Sequence, residues 1–216
     1  MAKKAKKSGS KKVFSPKRMA LFSMVVTLIS FLYKLGLGIY SYSIILMVAS
    51  ISTFLVFVCK FVFYKRMTAD RAAKKRAYFI MMVSALAFGV VFLLFAVLKV
   101  GGIDIHKENT YKGWLSYVFI AFIIIMFALS VIKLKGALQK DDLMVIGLKE
   151  MIFVSALTDA VIIEEFVYKT LILPLHFDVP YFPVLKYANA YFPLITAVIM
   201  LLVPLYMFKR YRSYQA

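Results

Sequence analysis

The chain has 216 residues, 63% hydrophobic and 18% charged, with a mean hydropathy of +0.84, whereas a soluble domain averages about 45–50% apolar and about 25% charged residues. A water-soluble globular fold is excluded, and six spans of ~20 residues would take roughly 120 positions, leaving loops but no second aqueous domain. The 28 Lys and Arg against 10 Asp and Glu give a net charge of +18, which on a membrane protein bears on orientation and lipid contact before nucleic acid.

Residues 1–18 carry Lys3, Lys4, Lys6, Lys7, Lys11, Lys12, Lys17 and Arg18 and no acid. Like charges this close repel, so a disordered polybasic tail is predicted. Its lysines from Lys3 to Lys12 are expected to contact anionic lipid, at about 1 kcal/mol per basic residue near the surface. No RNA-binding motif accompanies them, so nucleic acid is not an expected partner. The apolar run 19–33 behind this tail has the form of a secretory signal. No A-x-A cleavage site follows, only Gly36-Leu37-Gly38 as a weak substitute, and the run is read as an uncleaved first span.

Apolar stretches at about 19–35, 39–63, 77–98, 114–132, 151–173 and 187–208 predict an all-α integral membrane protein, a six-helix transmembrane bundle over 19–208. A basic cytosolic tail, 209–216, completes the division. The first two stretches read as a tight hairpin around Gly36 and Gly38. The fifth is interrupted by Asp159, Glu164, Glu165 and Lys169, and the sixth holds Pro193 and Pro204, which membrane helices tolerate. The segment Pro174–Pro193 reads as an interfacial loop.

Charge and parity agree on this count. With the N-terminus inside, segments 1–18, 65–76, 133–150 and 209–216 hold 21 Lys and Arg, and the outer turns hold five: Lys34, Lys99, Lys107, Lys112 and Lys186. That split meets the positive-inside rule when the fifth span is counted, which places both termini in the cytosol and the chain in the plasma or inner membrane. Tyr64, Tyr78, Trp114, Tyr117, Tyr187 and Tyr206 fall near span ends, as an aromatic belt.

The single cysteine, Cys59, excludes an internal disulfide and reads as a small buried hydrophobe. With only His106 and His176 as histidines, no metal site and no cofactor are expected. An acid near the bilayer centre costs about 2.5–3.5 kcal/mol on insertion, so Asp159, near the middle of the fifth span, is a functional candidate. At ~100° per residue Ser155, Asp159, Ile163, Phe166 and Thr170 share one helix face, and Thr158, Ile162, Glu165 and Lys169 another. Glu165 and Lys169, in the favourable i, i+4 order, can neutralise each other. Asp159 with Ser155 is a water-lined or interhelical site, or a helix-packing hydrogen bond. Glu164, Glu165 and Lys169 form the outer mouth of a cation or proton pathway, or lie solvated at the interface. Asp141-Asp142 before Leu143 reads as a helix N-cap.

Glu164-Glu165 followed by Lys169 is similar to the EE-x-x-x-R element of CAAX-protease-like membrane enzymes. Those sites need downstream histidines on membrane helices, and here only His176 follows. No Walker loop, HExxH or GxSxG occurs either, so no enzyme is expected.

The string Lys34-Leu35-Gly36-Leu37-Gly38-Ile39-Tyr40-Ser41-Tyr42-Ser43-Ile44 resembles the K-L-x-x-G-x-x-S-x-S segment of cation diffusion facilitators. Ala69-Asp70 and Arg76-Ala77 are similar to further elements of that family. The resemblance implies a six-span cation-efflux transporter, with a homodimer as a candidate assembly. Where the family carries second-span metal ligands, this chain has Ser50, Ser52, Phe54 and Val56, which suit neither hard nor borderline divalent ions. That family's C-terminal soluble domain is not expected after the sixth span. The expected function is a cation-efflux-type transporter moving cations or protons past Asp159. The alternative is a transport-inactive scaffold or partner subunit that retains the helical frame.

Overall fold

The computed structural model describes residues 16–102, 114–139, 142–172 and 182–213. Lys3, Lys4, Lys6, Lys7, Lys11, Lys12, His106, Asp141 and His176 lie outside these. Six α-helices follow in order: α1 (Pro16–Tyr40), α2 (Ile44–Arg66), α3 (Arg71–Val100), α4 (Trp114–Leu138), α5 (Leu143–Val167) and α6 (Phe182–Ser213). A π-helical turn, Tyr168–Ile172, continues α5. No strand occurs among the described residues. Every helix except α5 is long and apolar enough to cross a membrane, which marks the chain as a membrane protein. Helix α5 differs because Lys149, Glu150, Asp159, Glu164 and Glu165 interrupt it.

The helices overrun the apolar stretches because backbone hydrogen bonding continues into flanking charged turns. Helix α6 runs to Ser213, so most of the expected tail 209–216 is helical, and it carries Pro193 and Pro204 inside it. The first hairpin also differs from expectation. Gly36 and Gly38 lie within α1, and the chain reverses at Ser41–Ser43, with Tyr42 in the left-handed region at φ 50°. In an apolar setting a helix satisfies its own backbone, whereas a turn at the glycines would not. Gly38 serves close approach instead: a Cβ there would stand 3.0 Å from the Met47 backbone nitrogen.

Helix α5 is the centre of the bundle and packs against α2, α3, α4 and α6. Its buried Met144, Met151 and Ile162 join Ile45 and Leu46 of α2, Phe88 and Phe92 of α3, and Met200 and Met207 of α6 in one core. The backbone of α1 lies close to α2 and that of α4 to α5, with no close backbone approach between α1 and α4. Gly147 admits the Tyr78 ring, since a Cβ there would lie 2.6 Å from Tyr78 Cδ2. Tyr78 is therefore fully buried and not part of an aromatic belt, while Trp114, Tyr117, Tyr187 and Tyr206 are exposed.

Two carboxylates cap helices. Asp70 accepts from the Ala73 N–H at 3.0 Å. Asp142, the cap expected from the sequence, accepts from Met144 N–H at 2.9 Å and Val145 N–H at 3.3 Å, and pairs with Lys74 at 2.9 Å. Partial burial pushes the Asp142 carboxyl up, but the Lys74 ammonium and the two N–H groups outweigh it and hold it below the usual carboxylate range.

Candidate functional site

The α2–α5 interface is held by hydroxyls, an economical glue where every polar group needs a partner. Ser52 Oγ lies 3.0 Å from Ser155 Oγ and 3.1 Å from Thr158 Oγ1. One turn further along α5, Asp159 meets Lys34 of α1: Nζ to Oδ1 is 2.5 Å, and the same Nζ donates to Thr53 Oγ1 at 3.2 Å. The Lys34 side chain is 4% exposed and that of Asp159 11%. Lys34 was assigned to an outer turn by sequence. It is instead inside the bundle, because α1 continues through Gly36 and Gly38.

This ion pair borders a cavity of about 760 Å³ between α1 and α4, floored by α2 and α5. Ser155 and Asp159 line it, as do Ser23, Thr27, Ser30 and Lys34, a polar stripe at helical spacing on α1. Towards the other end Lys60 reaches across from α2. Its Nζ donates to Thr27 Oγ1 at 2.5 Å, Ser23 Oγ at 2.8 Å and the Ser23 carbonyl at 3.2 Å. Arg18, Lys133 and Lys149 complete a cationic rim at that end.

Glu164, Glu165 and Lys169 do not line this cavity. Glu165 pairs with Lys99 of α3 at 2.6 Å and, as its spacing predicts, with Lys169 at 3.3 Å. Asn189 of α6 donates to Glu164 Oε1 at 2.8 Å and to Glu165 Oε2 at 3.4 Å. Glu165 is 3% exposed, so it is enclosed by protein. Six residues separate it from Asp159, which at ~100° each turns it towards α3 and α6. A third cluster joins Glu150 to Tyr78 at 3.1 Å and Arg210 at 3.2 Å.

Of the second-span positions, Ser52 is engaged with α5, Ser50 bonds the Met47 carbonyl at 2.7 Å, Phe54 is 43% exposed and Val56 lines the cavity. Among the described residues no three His, Cys, Asp or Glu side chains come together. Sequence reasoning found Asp159 and Ser155 but missed Lys34, Thr53 and Lys60. The signal for them was the Ser23–Thr27–Ser30–Lys34 stripe, which turns a polar face inward from an otherwise apolar helix. Compared with protein-family models, curated proteins and solved structures, the chain matches none.

Proposed function

We propose that the chain is a six-span carrier of the plasma or inner membrane, with both termini cytosolic, in which the α1–α4 cavity takes the substrate and the Lys34–Asp159 pair exchanges a proton. One observation carries the reading. Two opposite charges face one another at 2.5 Å inside an apolar bundle, on the wall of a cavity. Desolvating such a pair costs several kcal/mol per ion, and a pair of leucines would avoid that cost. Paired charges inside membrane helices mark substrate pathways and proton relays.

The transporter class is the one implied by the resemblance of residues 34–44 to cation diffusion facilitators. The moving species changes, because Lys34 stands beside Asp159 where a metal cation would sit. A proton on Asp159 cancels its charge and releases Lys34 Nζ to Thr53 Oγ1, leaving a cation at the cavity wall. Glu164, Glu165 and Lys169 act in this scheme as a structural cluster.

Proteoliposomes carrying a pH-sensitive dye test the proposal. The wild-type chain is expected to dissipate an imposed pH gradient faster than empty vesicles, and Asp159→Asn, monodisperse on size exclusion, is expected not to. Equal rates for the two proteins would overturn the carrier reading and leave the scaffold alternative.

A further inference from the structure

We propose that the cationic end of this cavity binds the phosphate headgroup of an anionic phospholipid, whose acyl chain lies in the apolar slot between α1 and α4. The inference names the occupant of the cavity and rests on reading it as a binding site.

Charge is the first ground. Among the described residues Asp159 is the one carboxylate lining the cavity, and Lys34 already matches it. Lys60 and Lys133, at the other end, have no carboxylate partner among the described residues. The three protons of Lys60 are held by Ser23 and Thr27, so its position is fixed while its charge is unbalanced. Lys133 and Lys149 line the same cavity. The fixed Lys60 ammonium favours an anion in this cavity through its charge, and phosphate oxygens there can accept from the exposed Lys133.

Shape is the second ground. From Lys149 to Asp159 is ten residues of helix, ~15 Å. Over that length Val26, Met126, Ile152 and Ala156 present an apolar wall. The backbones of α1 and α4 do not approach closely, and the slot runs between them. A free phosphate would satisfy the cations and leave the slot unfilled; a lipid fills both. The polybasic residues Lys3 to Lys12 carry the same sign as the rim and are not its counter-charge.

The test is binding of dioleoyl-phosphatidylglycerol, against dioleoyl-phosphatidylcholine and inorganic phosphate, to the delipidated full chain in detergent, read by native mass spectrometry. Phosphatidylglycerol is expected to be retained about tenfold or more over phosphatidylcholine, with inorganic phosphate a poor competitor. Lys60→Gln/Lys133→Gln is expected to remove that preference, about tenfold or more for two basic residues. Lys133→Gln alone, at an exposed position, reads the same direction should the double variant fold poorly. Met126→Trp, which fills the slot, is expected to weaken both lipids. Equal retention of the two lipids, indifference to Lys133→Gln, or phosphate competing as well as the lipid would overturn the proposal. So would a Met126→Trp protein that binds normally, because the lipid would then sit on the outer surface. No gradient is present, so loss of proton flux with retained lipid preference sinks the carrier reading alone, and the reverse sinks this one alone.

Discussion

The two sides of α5 treat buried charge differently. On the α3–α6 side, Glu150 and Glu165 each meet two or more partners drawn from neighbouring helices, and glycines bring the packing close: Tyr78 against Gly147, Leu201 against Gly89. On the α1–α4 side a single acid meets a single lysine beside a cavity of about 760 Å³. Burial follows the same division, with 44% of the apolar window of α3 buried but 17% of that of α1 and 22% of that of α4. An ionisable residue in a membrane helix is thus not a site by virtue of its cost alone. Glu150 and Glu165 are enclosed in a net of donors, whereas Asp159 borders a cavity with one ion-pair partner.

The sharpest way to break the comparison is to separate Lys34 from Asp159. Lys34→Met strands a buried carboxylate and should cost about 3–5 kcal/mol, whereas Lys34→Met/Asp159→Leu should recover most of that loss. Thermal unfolding of the three proteins in one detergent decides this. A double variant no better than the single would show that the pair is not an isolated unit.

Packing density gives a second contrast, in which one substitution has opposite signs on the two sides. Gly147→Ala places a methyl 2.6 Å from a Tyr78 ring tied to Glu150, an overpacking cost of about 1–3 kcal/mol. Gly36→Ala meets nothing within 4 Å and should gain up to about 1 kcal/mol from helix propensity. Melting temperatures that move the same way for both would dissolve the distinction between the sides.

The smallest effect belongs to the Asp142 cap. Asp142→Ala should cost about 1 kcal/mol, and the loss should depend on pH. The carboxyl is held below its unfolded pKa by Lys74 and two N–H groups. Its contribution is therefore complete above the unfolded pKa and lost as pH falls through the folded one. Wild-type and variant melting temperatures should converge below the usual carboxylate range and stay apart at neutral pH. A constant gap across the acid limb would assign the effect to packing.

Five of the six helices were legible from apolar run length, α5 only through the charge split between the two sides of the membrane, and the Asp142 cap and the Glu165–Lys169 pair from local spacing. Such features depend on neighbours within one or two turns. The Lys34–Asp159 pair joins residues 125 apart in sequence, and nothing local to either names the other. Reading Gly36 and Gly38 as a turn hid it further, since that placed Lys34 outside. The same limit explains Tyr78, whose position near a span end suited a belt and whose partners Glu150 and Met207 lie far along the chain. What sequence could have supplied was the inward polar stripe of α1, visible without any knowledge of what it faces.

The left-handed turn at Tyr42 joins α1 to α2, along which α1 packs. Near that turn Lys34 bonds Asp159 of α5, and towards the far end Lys60 bonds Ser23 and Thr27. At 1.5 Å per residue Lys34 is ~12 Å from Tyr42 and Arg18 ~36 Å. A tilt of about 10° at the turn would carry Lys34 through ~2 Å and Arg18 through ~6 Å on that geometry. Such a tilt would move the Arg18 end about three times as far as the Lys34 end, and the bonds of Lys60 to Ser23 and Thr27 resist it.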